Sequence, residues 1–172
     1  MSNAAGSGLS SPSPTTRLVV PKSVIARTQR CLKDRSAGYR ESACVWVGRR
    51  YRATMEVSRV IFHHELGDDR ATALSLELPE AAKFALYRDL ADRQESLLAL
   101  LHTHPEQWVG LSAIDEQNQV SSRVGFWSIV VPFYGVCDWA PQELGCHVRC
   151  ECGWRRLAVD EVTSSLVIVH ER

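Results

Sequence analysis

The chain has no Cys-x-x-Cys pair, no apolar run of membrane-spanning length and no excess of either charge. Each absence removes a class of function. Twenty Lys and Arg balance twenty Asp and Glu, so no global field draws the protein to nucleic acid or to an anionic membrane. Electrostatic recognition must therefore be local. The longest mostly apolar stretch, from Phe126 to Val136, falls short of the ~20 residues a spanning helix needs and contains Pro132. The first residues have neither the basic start nor the apolar core of a secretory signal, so the expected location is the cytoplasm. In that compartment Cys31, Cys44, Cys137, Cys146, Cys150 and Cys152 are expected to be reduced thiols.

What is present fits one modest domain. At 172 residues and 45% hydrophobic, the chain can bury a substantial core but is short for two domains. Met1-Ser2-Asn3-Ala4 reads as an expression-tag remnant, and the Gly/Ser/Pro-rich run that follows predicts disorder over residues 1–16, leaving 17–172 as the domain. Apolar residues at helical spacing predict a helix from about Pro21 to Arg35, with Val24, Ile25, Thr28, Cys31 and Leu32 inward. Cys44 to Val47 reads as a strand, Tyr51 to His63 as one or two more, and Thr72 to Glu77 as another. Pro79 opens a second helix to about Gln94, burying Ala82, Leu86, Leu90 and Ala91. Strands at Leu97 to Leu101, Gly125 to Val131, Cys146 to Cys152 and Val167 to Val169 complete a mixed α/β domain, a central sheet flanked by helices.

The most informative stretch is His102-x-His104, then Ser112-x-x-Asp115. Leu97 to Leu101 would run as a buried strand straight into the histidines, and side chains two apart on a strand share a face. His102 and His104 can then reach one ion while Thr103 points away, and Pro105 ends the strand. Ser112 reads as the N-cap of a helix through Gln119, which puts Asp115 beside it on the first turn. Two imidazoles and one carboxylate, with a fourth position open, are the ligand set of a catalytic zinc rather than of a closed structural one. Manganese, iron or cobalt could use the same ligands.

His102-Thr103-His104-Pro105 through Ser112-Ala113-Ile114-Asp115 resembles the JAMM motif of the MPN-domain (JAB) metallopeptidases. Arg40-Glu41 through Val45-Trp46-Val47-Gly48 is similar to that family's upstream glutamate segment, with Glu41 as the match. The resemblance extends to Gly153-Trp154-Arg155-Arg156-Leu157. It implies a single MPN domain with a curved mixed sheet. It also implies one zinc ion on His102, His104 and Asp115, with Glu41 as general base and Ser112 as oxyanion donor or water-positioning residue. The implied reaction is hydrolysis of the amide bond after the C-terminus of a ubiquitin-like protein. The compact chain looks most like stand-alone bacterial members from antiphage systems, CBASS or ubiquitination-like operons that also encode activating and conjugating enzymes. A peptidase maturing a sulfur-carrier-type β-grasp protein would use the same site, and a non-catalytic MPN scaffold would not need it.

Two further clusters carry alternatives. Cys146, Val148, Cys150 and Cys152 alternate with polar residues, as on the apolar face of one strand. The other reading is a structural zinc on Cys146, Cys150 and Cys152 with Cys137 or His147. His63-His64-Glu65 beside Gly67-Asp68-Asp69-Arg70 reads as a solvated turn rather than a second metal site. Phe133, Tyr134 and Trp139, between Pro132 and Gly145, are available either to a partner or to the core.

Overall fold

The computed structural model describes residues 16–66, 79–117 and 120–171. Its eight strands, β1 (Arg17–Pro21), β2 (Ala43–Tyr51), β3 (Thr54–Phe62), β4 (Ser96–Thr103), β5 (Trp127–Val131), β6 (Gly145–Cys150), β7 (Gly153–Arg156) and β8 (Leu166–Val169), form one sheet in the order β7-β6-β5-β4-β2-β3-β1-β8. The sheet is mixed. β4 pairs parallel with β5, and β1 pairs parallel with both β3 and β8, while the other neighbours are antiparallel. The helices are α1 (Lys22–Ser36), α2 (Glu80–Asp92), α3 (Ala113–Gln117) and α4 (Val159–Ser165). The mixed α/β architecture expected from the sequence is the one observed.

Leu97 to Leu101 form an unbroken apolar run because β4 is covered on both faces. Leu98 and Leu101 join the larger core cluster with Val24, Ile25 and Leu32 of α1, and Leu97 and Leu100 join a second with Leu86 and Leu90 of α2. Trp46, wholly buried on β2, is anchored by its indole N–H, which donates to Thr28 Oγ1 on α1 at 3.0 Å. The two helices therefore clamp opposite faces of the strand that carries the histidines.

Several boundaries differ from the sequence reading. β1, β7 and α4 were not anticipated, whereas the Tyr51 to His63 stretch contains one strand, within the one or two expected. Thr72 to Glu77 lies outside the described residues, as does Gly67 to Arg70. Ala91 is exposed, because it lies about 100° around α2 from the Leu86–Leu90 stripe that the helix buries, and Ala82 is half-buried. Cys146 is buried with Val148 on β6, but Cys152 lies in the exposed turn before β7, off the apolar face. His63 is not solvated. It begins a 3₁₀ turn directly after β3, which carries its ring inward beside Ile61 and Leu100, while Glu65 accepts the Phe62 N–H at 2.9 Å.

Candidate metal centre

The site is assembled at the C-terminal end of β4. His102 and His104 project to the same side with their Nε2 atoms 3.2 Å apart, both rings buried. Thr103, between them, points into the opposite face and is pinned to the residue after Glu41. Its N–H donates to the Ser42 carbonyl at 3.0 Å and its Oγ1 accepts the Ser42 N–H at 2.9 Å. The Ser42 hydroxyl donates in turn to the Leu32 carbonyl of α1 at 2.9 Å. These bonds hold Glu41 at the entry to β2, within electrostatic reach of both histidines and Asp115.

Asp115 arrives from α3 by the capping geometry expected of Ser112. The Asp115 N–H donates to Ser112 Oγ at 3.1 Å, and the Ser112 N–H donates to Asp115 Oδ2 at 2.7 Å, a reciprocal box that fixes the carboxylate's direction. One oxygen faces each ring: Oδ1 lies 3.3 Å from His102 Nε2 and Oδ2 lies 3.5 Å from His104 Nε2. His104 Nδ1 lies 3.0 Å from the Trp108 carbonyl, which can only accept, so this nitrogen carries the proton and Nε2 presents a lone pair in the neutral ring. The Trp108 ring stacks on His104, with centroids 5.2 Å apart.

This donor set fits a divalent ion. A lone pair facing a second imidazole and a carboxylate is satisfied by a cation, and bonds of ~2.0–2.1 Å in tetrahedral array put ligand atoms roughly 3.3 Å apart. The observed separations of 3.2, 3.3 and 3.5 Å have that size. A carbonyl orienting the remote ring nitrogen of a ligating histidine is the usual outer support of such a centre. His102, His104 and Asp115 are the one group with this potential found among the described residues, and the cysteines of β6 do not form another.

The surroundings of Asp115 favour its ionised, ligating form. Burial opposes the charge on Asp115, but the adjacent His102 and His104 rings and the Ser112 N–H outweigh it and hold the carboxyl well below its usual range. Burial likewise opposes a charged His104, yet Asp115, the Trp108 carbonyl and Glu41 raise its pKa. Burial pushes Glu41 up, with His104 and His102 pulling it back. Of these groups the sequence reading missed only Trp108, whose contribution is a main-chain oxygen. Its placement four residues after His104, in a loop closing back on the strand, was the one available signal.

The loop is held by a close approach. A Cβ on Gly145 would lie 1.9 Å from the Val109 carbonyl oxygen, so only glycine lets β6 pass beneath the Trp108–Val109 segment.

No family model matches the sequence, and no curated protein matches it. Among solved structures the chain is similar to the solution structure of protein DSY2949 from Desulfitobacterium hafniense, with a TM-score of 0.59 at 13% identity, covering 90% of this chain and 93% of that one. It also aligns with AF2198, a JAB1/MPN domain protein from Archaeoglobus fulgidus, at a TM-score of 0.48 and 14% identity, covering 90% and 99% of the two chains. The first likeness shows a shared fold.

Proposed function

We propose that the protein is a zinc-dependent isopeptidase or peptidase of the MPN (JAB) type, cutting the amide bond after the C-terminus of a ubiquitin-like protein. The observation that carries this reading is the convergence of His102, His104 and Asp115 around one point, beside Glu41 and Ser112. The resemblance of those residues to the JAMM motif supplies the substrate class and the setting, a bacterial antiphage conjugation system.

His102, His104 and Asp115 would hold the ion. When bound, zinc polarises a carbonyl and brings the pKa of a water from ~15.7 towards ~7. Glu41 is the carboxylate left free to move a proton, taking it from the nucleophile and delivering it to the departing amine. Its half-buried position, which raises its pKa, makes it a stronger base once ionised. Ser112 Oγ accepts from the Asp115 N–H and so keeps its own proton to donate to the developing oxyanion. Donors in that role contribute about 2.7–4 kcal/mol to the barrier.

The test is cleavage of a fusion between a ubiquitin-like protein encoded beside this gene and a C-terminal reporter, with and without chelator, alongside Glu41→Ala. Release that stops with chelator and in the variant is expected. Release untouched by either would remove the metallopeptidase assignment.

A further inference from the structure

Two depressions adjoin the candidate centre and differ in charge. On the Glu41 side a small recess is lined by Arg35, Arg40, His63 and His64. On the Trp108 side a groove of about 580 Å³ runs between Trp108, Phe133 and Val136, with Asp138, Glu143 and Arg156 along it. Two carboxylates against one guanidinium leave the groove net negative, whereas two guanidiniums against Glu41 leave the recess net positive.

The groove is joined to the ligands. The Phe133 N–H donates to the Glu106 carbonyl at 3.3 Å and the Tyr134 N–H to the His104 carbonyl at 2.8 Å, so one wall is bonded to the backbone of the His104 segment. Trp108, stacked on His104, forms the other wall. Phe133 and Tyr134 hold this position in left-handed conformations, φ 52° and 56°, unusual for residues with side chains. The two walls nevertheless leave apolar surface in water: Trp108 is 55% exposed, Phe133 45% and Val136 54%. Asp138 stands exposed along the groove and half-buried Glu143 lines it beside Arg156. The neighbouring Cys137 thiol, pushed up to about 11 by burial and then by Glu143 and Asp138, brings no compensating positive charge.

We infer that this groove binds the amine side of the substrate: a polypeptide segment that lays an apolar residue against Trp108 and Phe133 and places a lysine or arginine on Glu143 and Asp138. The placement rests on the hydrolase reading above. Hydrolysis of an amide yields a carboxylate and an amine that is protonated at neutral pH. The anionic product matches the recess with Arg35 and Arg40, and the cationic product matches the acidic groove. Glu143 and Asp138 are therefore specificity determinants on the leaving side, not catalytic residues.

The full chain tests this by fluorescence anisotropy, using a labelled heptapeptide with two lysines flanking a leucine and its isostere with norleucine at both lysines. The lysine peptide should bind at least ten-fold more tightly at low salt. Asp138→Asn with Glu143→Gln should abolish that preference, and Trp108→Ala should weaken both peptides. Equal binding of the two peptides by the unaltered chain would overturn the inference without recourse to any variant. So would a groove filled by a second copy of the chain, seen as a dimer that Trp108→Ala dissociates and the lysine peptide does not. Lysine-selective binding with no hydrolysis of any fusion would remove the peptidase reading and leave the acidic groove standing; hydrolysis with no lysine preference would do the reverse.

Discussion

His147 gives the protein a calculable sensitivity to acid. It sits on β6 opposite Ser128, which pairs in turn with Leu100 of β4, and it is almost wholly buried. Burial first, and then the Arg156 charge, hold its pKa down to about 4, against the backbone of Ser128 and Gly145, which favour the charged ring. In the unfolded chain the ring titrates near ~6.5. Above pH 7 it is neutral in both states and contributes nothing to the pH dependence. As pH falls below ~6.5 the unfolded chain binds a proton that the folded protein refuses, so stability drops until the folded ring also titrates near 4. That difference predicts a loss on the order of 1 kcal/mol at pH 5.5 and roughly 2–3 kcal/mol at pH 4.5, relative to pH 7.5. The assay is urea denaturation of chelator-treated protein at these three pH values, for the natural sequence and His147→Leu. Carboxylates shared by both proteins cancel in the comparison. The variant should lose roughly 2–3 kcal/mol less than the parent between pH 7.5 and 4.5. Parallel losses would show that His147 is protonated in the folded state and that the burial argument is wrong.

Two further outcomes follow from the site. Gly145→Ala forces a methyl against the Val109 carbonyl, so it should destabilise the fold by about 1–3 kcal/mol and, by moving the Trp108 carbonyl off His104, weaken zinc binding as read by competition with a chromophoric chelator. Glu41→Gln should lower kcat on the order of 10²–10⁴-fold in the fusion-cleavage assay while zinc content is unchanged, and an undiminished kcat would remove Glu41 as the base.

The parts of the site that could be read from sequence are those set by local rules. Period-two alternation puts His102 and His104 on one face, and a capping box brings Asp115 to Ser112; both depend on neighbours in the chain. Glu41 is different. Alone it reads as a charge before a strand, and only the similarity of its segment to a family pattern singled it out. What directs it to the site is the pair of bonds between Ser42 and Thr103, 61 residues away. The Trp108 carbonyl had no residue-type signature because every residue owns one. His63 differs from its expectation for a related reason: its polar neighbours suggest a solvated turn, while the 3₁₀ turn after β3 carries the ring into a recess shared with Ile61 and Leu100. β1 escaped notice as five residues ending in Pro21, and its strand identity depends on parallel pairing to β3 and β8, the latter almost 150 residues downstream.

If His102, His104 and Asp115 form one divalent-metal centre, calorimetric titration of zinc into chelator-stripped protein will show it. One ion per chain is expected, with binding weakened on the order of 100-fold or more in Asp115→Ala while the helical circular dichroism is unchanged. Failure to bind zinc, or binding of equal strength in the variant, would contradict it.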